Sequence, residues 1–368
     1  MKRYGNLFER ICDIDNIRLA HENAKKGKGW YKEVKEIDAN PDHYLNMIRD
    51  MLLNHTFRTS PYEVFYKQEG KKQRKIYKLP YFPDRIVQWA IMQVIEPILL
   101  NTFTTDTYSA IPNMGLHVAL SKLQAAMQTD VQGCQYCFKM DIRHYYQSID
   151  HSILKMKYRR LFKDPDLLEL LDEIIDSIAT ADDEDLIRLE AAEDEEKGLP
   201  IGNYHSQYGG NYYFAAFDHW IKEVKHVKHY FRYMDDIIIF AETKEELHRL
   251  RVEIADYLKT NLKLTIKDNW QVFPTYERGI DYLGYRVFLN YTLLRKSTCL
   301  NMERKLKKIR AKCEAGNMMN YSEWYCINSY IGWLKHCNSY NLYQKYFDPL
   351  EPFIVDYYEK AILGGKAA

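Results

Sequence analysis

The stretch from His229 to Phe240 reads H-Y-F-R-Y-M-D-D-I-I-I-F. Two adjacent acids, Asp235 and Asp236, stand between two runs of apolar, aromatic and β-branched residues. Such runs favour half-buried strands, and an acidic break between them predicts a β-hairpin with the acids at its turn. Aspartate tolerates turn conformations. Carboxylates fixed side by side repel one another, and a hard divalent cation with oxygen ligands is their natural neutraliser. An isolated Asp-Asp turn is usually only a solvated hairpin tip. Here a third acid, Asp141, stands at the end of a second strand-like run, Cys137 to Ile142.

The chain has 368 residues, enough for two or three domains with a core of their own. Hydrophobic residues at 46% and charged residues at 28% describe a soluble globular protein. Net charge is only +1, but its distribution is uneven. Residues 181–196 hold nine acids and one base, which leaves that segment at −8 and the rest of the chain at +9. A basic surface is therefore allowed, with one acidic segment set apart. The seven cysteines are odd in number and show no framework spacing. Cys134 and Cys137 form a lone C-x-x-C with no second pair, so reduced thiols and a cytoplasmic setting are expected. No signal-peptide core follows the charged start. The longest apolar stretch, Ile86 to Ile95, is too short to span a bilayer.

In chain order, residues 1–60 read as a helical extension, with Tyr44, Met47, Ile48, Met51 and Leu52 at helical spacing. Residues 61–80 predict a hairpin with Gly70 at its tip. Its bases Lys67, Lys71, Lys72, Arg74 and Lys75 suit a triphosphate, or simply an exposed tip. Ile86 to about Leu100 reads as a core helix. Asp166 reads as the cap of a helix through Ile178. The acidic segment has no internal glycine turn and reads as a surface excursion, not a metal cage. A Gly- and Pro-marked loop, Gly198 to Asn203, feeds a helix bearing Phe214, Phe217, Ile221 and Val224. Thr243 to Glu246 reads as a capping box. Residues 295–368 read as helical, with Lys305, Lys307, Lys308, Arg310 and Lys312 crowding one helix.

Three carboxylates brought to one point by two strands would make a two-metal site for nucleotidyl transfer, a reaction that needs mainly positioning and charge neutralisation.

At this point the chain resembles the reverse transcriptases. Tyr233 to Asp236, Y-M-D-D, is similar to their signature hairpin. Asp141 to His151 resembles the first palm motif of the bacterial, group II intron-like branch. Pro83 to Gln88, the Gly115 region and Asp281 to Tyr285 follow in family order. Ile201 to Gln207, I-G-N-Y-H-S-Q, resembles the I-G-x-x-x-S-Q motif of reverse transcriptases from diversity-generating retroelements.

The resemblance implies an α+β right-hand polymerase fold: fingers at 61–135, palm at 136–288 carrying the acidic insertion, and a helical thumb at 289–368. The palm is expected to be a mainly antiparallel sheet with helices on one side. The resemblance also implies Asp141, Asp235 and Asp236 as catalytic acids that hold two Mg2+ ions together with Ile142, Mn2+ being a substitute. Lys67, Arg74, Tyr146, Gln207 and Lys267 are implied at the dNTP, with Tyr146 the gate against a ribose 2′-hydroxyl. Ile201, Gly202 and Ser206 are implied in fidelity and template fit, and Lys305, Lys308 and Arg310 in nucleic-acid contact. The implied partners are a template RNA, its primer, dNTPs and a basic helical accessory variability protein, with no membrane. The competing expectations are a reverse transcriptase of an antiviral defence system, a non-mutagenic intron-like enzyme, a nucleotidyl cyclase and a non-catalytic scaffold.

Overall fold

A computed structural model describes residues 3–69, 72–177 and 196–363. Gly70, Lys71, Ile178 and nearly all of the acidic segment lie outside the described residues. The chain divides into two compact units. One comprises Met1–Met114, Lys139–Ile239 and His248–Gln271; the other comprises Gly115–Phe138, Phe240–Leu247 and Val272–Ala368.

The first unit is built around the helix Ile86–Leu100. Its Ile86, Val87, Ala90, Ile91, Ile95 and Leu99 are fully buried. An all-round apolar helix of this kind belongs in a core. The helices Ile14–Ala24 and Tyr204–His219 pack on it. The helix Pro41–Leu53 forms where the spacing of Tyr44, Ile48 and Leu52 predicts it. Thr243 Oγ1 accepts from the amide of Glu246, as a cap for Lys244–Leu262 should.

Two expectations shift. The helix over Pro165–Asp176 is capped by Asp164, not Asp166. Proline at the first helical position makes the residue before it the cap. The buried Asp164 carboxylate also accepts from the amides of Leu7 and Phe8, so one side chain closes two helix starts. The α-helix expected to carry Ile221 and Val224 ends at His219, and both fall in the π-helical turn Trp220–Val224, where Val224 is 61% exposed.

Strands β1 (Glu63–Glu69) and β2 (Lys72–Lys78) form an antiparallel hairpin with Lys67 opposite Arg74. A four-stranded sheet has the order β4 (Tyr230–Tyr233), β5 (Asp236–Ala241), β3 (Tyr136–Asp141), β6 (Gln271–Pro274). The pairing of β4 with β5 is antiparallel, Tyr233 facing Asp236. The α+β expectation with antiparallel sheets is met.

The second unit holds β7 (Ile280–Tyr282), β8 (Tyr285–Val287) and β9 (Thr292–Leu294), paired antiparallel in that order. Leu283 and Gly284 both take positive φ between paired Tyr282 and Tyr285, as a tight two-residue hairpin turn requires. The helices Lys296–Glu314 and Tyr321–Leu334 follow, the latter closed by an Asn320/Glu323 capping box. Among the described residues no helix is long and apolar enough to cross a membrane.

Candidate active site

The Y-M-D-D hairpin turns through two residues, Met234 and Asp235, and Asp236 opens β5. Met234 carries φ 55°, the left-handed conformation that the first position of such a turn demands. Strand β3 lies beside β5 and ends at Asp141. The amide of the next residue, Ile142, donates to the Asp235 carbonyl over 3.3 Å. Adjacent strands run about 4.8 Å apart. The backbone therefore brings Asp141 and Asp235 to neighbouring positions although 94 residues separate them.

Two lysines flank these acids. Lys267 donates its amide to the Asp141 carbonyl at 2.9 Å, and its Nζ stands 3.7 Å from Asp141 Oδ2. Lys139 Nζ stands 3.7 Å from Asp236 Oδ1, with both side chains about one-fifth exposed. The family resemblance singled out Lys267 and passed over Lys139, whose place beside Asp236 is visible only once β3 and β5 are side by side.

Tyr146 sits in a short 3-10 turn, and its hydroxyl donates to Met234 Sδ at 3.5 Å. Burial pushes this phenol well above its ordinary pKa, and the nearby Asp235 carboxylate pushes it the same way. Tyr146 is thus a neutral wall beside the turn. The ligands that the resemblance implies, Asp141, Asp235, Asp236 and the Ile142 carbonyl, are all hard oxygen, a donor type that suits Mg2+ or Mn2+. The three carboxylates are more widely spread than the tightest clusters. Donor atoms within 4.8 Å of one another occur, among the described residues, in His21–Glu22–Asp38 and His151–Asp176–Glu196. Lys25 and Lys155 already share the acids of those clusters.

The segment Ile201–Gln207 is strapped to the β1–β2 hairpin. The amide of Tyr77 donates to the Ile201 carbonyl at 3.1 Å. Gly202 has φ 130°, and a Cβ there would meet the Tyr77 carbonyl oxygen at 2.5 Å. The helix Tyr204–His219 lacks a side-chain cap from Asn203; instead Gln88 Oε1 accepts from the amide of Tyr204 at 2.9 Å. Glu96 accepts from both Tyr204 and Tyr208 hydroxyls at 2.7 Å. A cavity of about 330 Å3 lies between the hairpin and this segment, lined by Ile76, Lys78, Arg85, Trp89, Gly202 and Gln207. Ser206 and His205 are buried, while Gln207 is exposed. Lys67 is exposed on β1. Lys305, Lys308 and Arg310 are exposed on the helix Lys296–Glu314 of the second unit.

The family model described as reverse transcriptase (RNA-dependent DNA polymerase) matches residues 66–287, more than half of the chain. The chain belongs to the reverse transcriptase family. Within that match fall the hairpin, both strands that bear the acids, and Ile201–Gln207. The chain is 24% identical over 277 residues to Protein YkfC of Escherichia coli (strain K12), covering 66% of this chain and 71% of that one. Among solved structures it is similar to telomerase from Candida albicans in complex with a fragment of telomeric RNA, at 10% identity and TM-score 0.46, covering 83% of this chain. It is also similar to apo telomerase from Candida tropicalis, at 9% identity and TM-score 0.45, covering 66% of this chain. It spans 61% and 48% of the lengths of those two chains.

Proposed function

We propose that this reverse transcriptase copies a template-repeat RNA into cDNA and misincorporates opposite template adenine, as the polymerase of a diversity-generating retroelement. The observation that carries the polymerase reading is the Ile142 to Asp235 hydrogen bond, which holds two acids distant in sequence, one at the end of β3 and one in the hairpin turn, at neighbouring backbone positions. Asp141, Asp235 and Asp236 with the Ile142 carbonyl would hold two Mg2+ ions, which, when bound, supply charge neutralisation and a more acidic primer 3′-hydroxyl. The remaining work belongs to side chains of this chain. Lys67 and Arg74, opposite one another on the β1–β2 hairpin, are suited to neutralise a triphosphate. Lys267, beside Asp141, would meet charge developing on the leaving pyrophosphate. The Tyr146 side chain, whose hydroxyl donates to Met234 Sδ, would press against a ribose 2′-substituent.

The adenine-specific reading is supported by Ile201–Gln207, which is held by backbone to the hairpin and whose Gly202 and Gln207 line the same cavity as Lys78 and Arg85. A small change in the fit of Ile201 or Gln207 would alter how a templating purine is seated. The reading is tested by extending a DNA primer on a defined RNA containing all four bases and sequencing the cDNA. The expected result is frequent misincorporation at template adenines, few errors elsewhere, and no product from Asp235→Ala. Accurate copying of adenine would remove the retroelement reading and favour a defence or intron-like enzyme; product from Asp235→Ala would remove the site.

A further inference from the structure

Arg232 is the second residue before Met234, on β4, and it is completely buried. A buried guanidinium is tolerated only when its charge is paired and its N–H groups are satisfied. Both conditions are met, and the inventory closes. Arginine has five N–H donors. Nε donates to Asp218 Oδ1 at 2.8 Å, and one terminal nitrogen donates to Asp218 Oδ2 at 2.6 Å and to Thr107 Oγ1 at 3.3 Å. The other terminal nitrogen donates to Asn211 Oδ1 at 3.0 Å and to the Met234 carbonyl at 3.2 Å. Five donors meet five acceptors.

Four of those acceptors are side-chain atoms that fix the guanidinium to the helix Tyr204–His219 and to Thr107. The frame is itself braced: Tyr230 donates to Asp218, and Asn211 donates to the Ser109 carbonyl. The fifth acceptor is the carbonyl of the left-handed residue in the hairpin turn. That carbonyl belongs to the peptide that joins Met234 to Asp235. The next carbonyl along, that of Asp235, accepts from Ile142. Asp235 is thus gripped on both sides by its backbone, by Arg232 before it and by Ile142 after it. The fifth bond is the one that leaves this frame and reaches the backbone of the hairpin turn.

We infer that Arg232 is a positioning residue for the Asp235 carboxylate: it locks the Met234–Asp235 peptide and so sets the acid's direction before any ligand arrives. The inference rests on the reading of Asp235 as a catalytic acid. No other side chain substitutes readily. Lysine offers three donors at one point and cannot reach across Asp218, Asn211 and the turn together.

The test uses the full chain in single-nucleotide incorporation on a primed RNA, with burst amplitude counting active molecules and Mg2+ varied. Arg232→Lys is expected to slow incorporation per active molecule by roughly tenfold or more, the scale set by small misplacements of a catalytic group. The Mg2+ needed for half-maximal rate rises severalfold while the apparent dNTP affinity stays within about threefold. Asn211→Ala, which loosens the nitrogen that holds the turn, moves the same quantities less far. Thr107→Val keeps the Met234 contact, so it lowers the melting temperature and leaves both kinetic quantities in place. If Arg232→Lys does not fold, Asn211→Ala decides. Wild-type rate and Mg2+ dependence per active molecule in these two variants overturn the inference, whatever their melting temperatures. Asp235→Ala run in parallel separates the two levels. If it extends like wild type, the catalytic reading falls and takes the inference with it. If it is dead while Arg232→Lys and Asn211→Ala are normal, only the inference falls.

Discussion

Ile142 and Asp235 are joined by a backbone hydrogen bond of 3.3 Å, and this bond, more than any side-chain contact, defines the candidate site. It registers β3 against the hairpin turn so that Asp141 and Asp235 project from neighbouring backbone positions. A slip of one residue in a strand turns every side chain to the other face. Registration by backbone therefore fixes which backbone positions are neighbours without asking the carboxylates to attract.

Tyr146 follows from the same registration. Its hydroxyl donates to Met234 Sδ, which sets the Tyr146 side chain as a wall beside the turn. Tyr146→Ala opens that wall, and the preference for dNTP over rNTP in kcat/KM is expected to fall by roughly tenfold or more. Steady-state incorporation of each nucleotide on the same primed RNA checks this. An unchanged ratio would remove Tyr146 from the sugar-sensing role.

Gly202 is constrained twice, by a φ of 130° and by the Tyr77 carbonyl 2.5 Å from where a Cβ would sit. Gly202→Ala must push β2 and the 201–207 segment apart. A loss of about 2–4 kcal/mol in urea unfolding is expected, from backbone strain and a contact that cannot relax by side-chain rotation. The error pattern at template adenine is expected to shift as well. A variant within 0.5 kcal/mol of wild type, as roughly expected of a neutral surface change, would show that the strap is not rigid.

His205 is fully buried beside the Tyr158 hydroxyl, and burial lowers its pKa from 6.5 to about 4. The unfolded chain takes up a proton below pH 6.5 that the folded chain refuses until about pH 4. Stability is therefore present above pH 6.5 and is lost as pH falls through that window, by about 3 kcal/mol at the acid end. His205→Gln keeps a hydrogen-bonding group without this titration. The difference in urea midpoints between wild type and His205→Gln is expected to change in that direction between pH 7 and pH 4.5. A constant difference would show that His205 does not carry the acid sensitivity.

The hairpin was legible because two apolar runs flank a two-acid break, and Asp141 because its run ends at the acid. The order of strands was not legible, since spacing says nothing about which strand lies beside which. Asp164 could have been read as the helix cap, because Pro165 marks the first helical position. Arg232 was not legible. One base in an apolar strand reads as a solvent-facing residue, and its partners at 107, 211 and 218 lie far from it in the chain or on another element. Burial of a charge becomes visible only when all its acceptors are assembled. Lys139 was hidden for the same reason, since its proximity to Asp236 exists only across the β3–β5 pairing.

The most direct measurement is the rate of primer extension on an RNA template by Asp141→Asn, Asp235→Asn and the double variant, each checked for wild-type melting. If the two acids serve one reacting centre, each single change lowers the rate by roughly a thousandfold or more and the double change is little worse than either, the mark of groups that act as a unit. Single variants that keep a tenth or more of wild-type activity, or losses that multiply as for independent sites, would contradict the shared site.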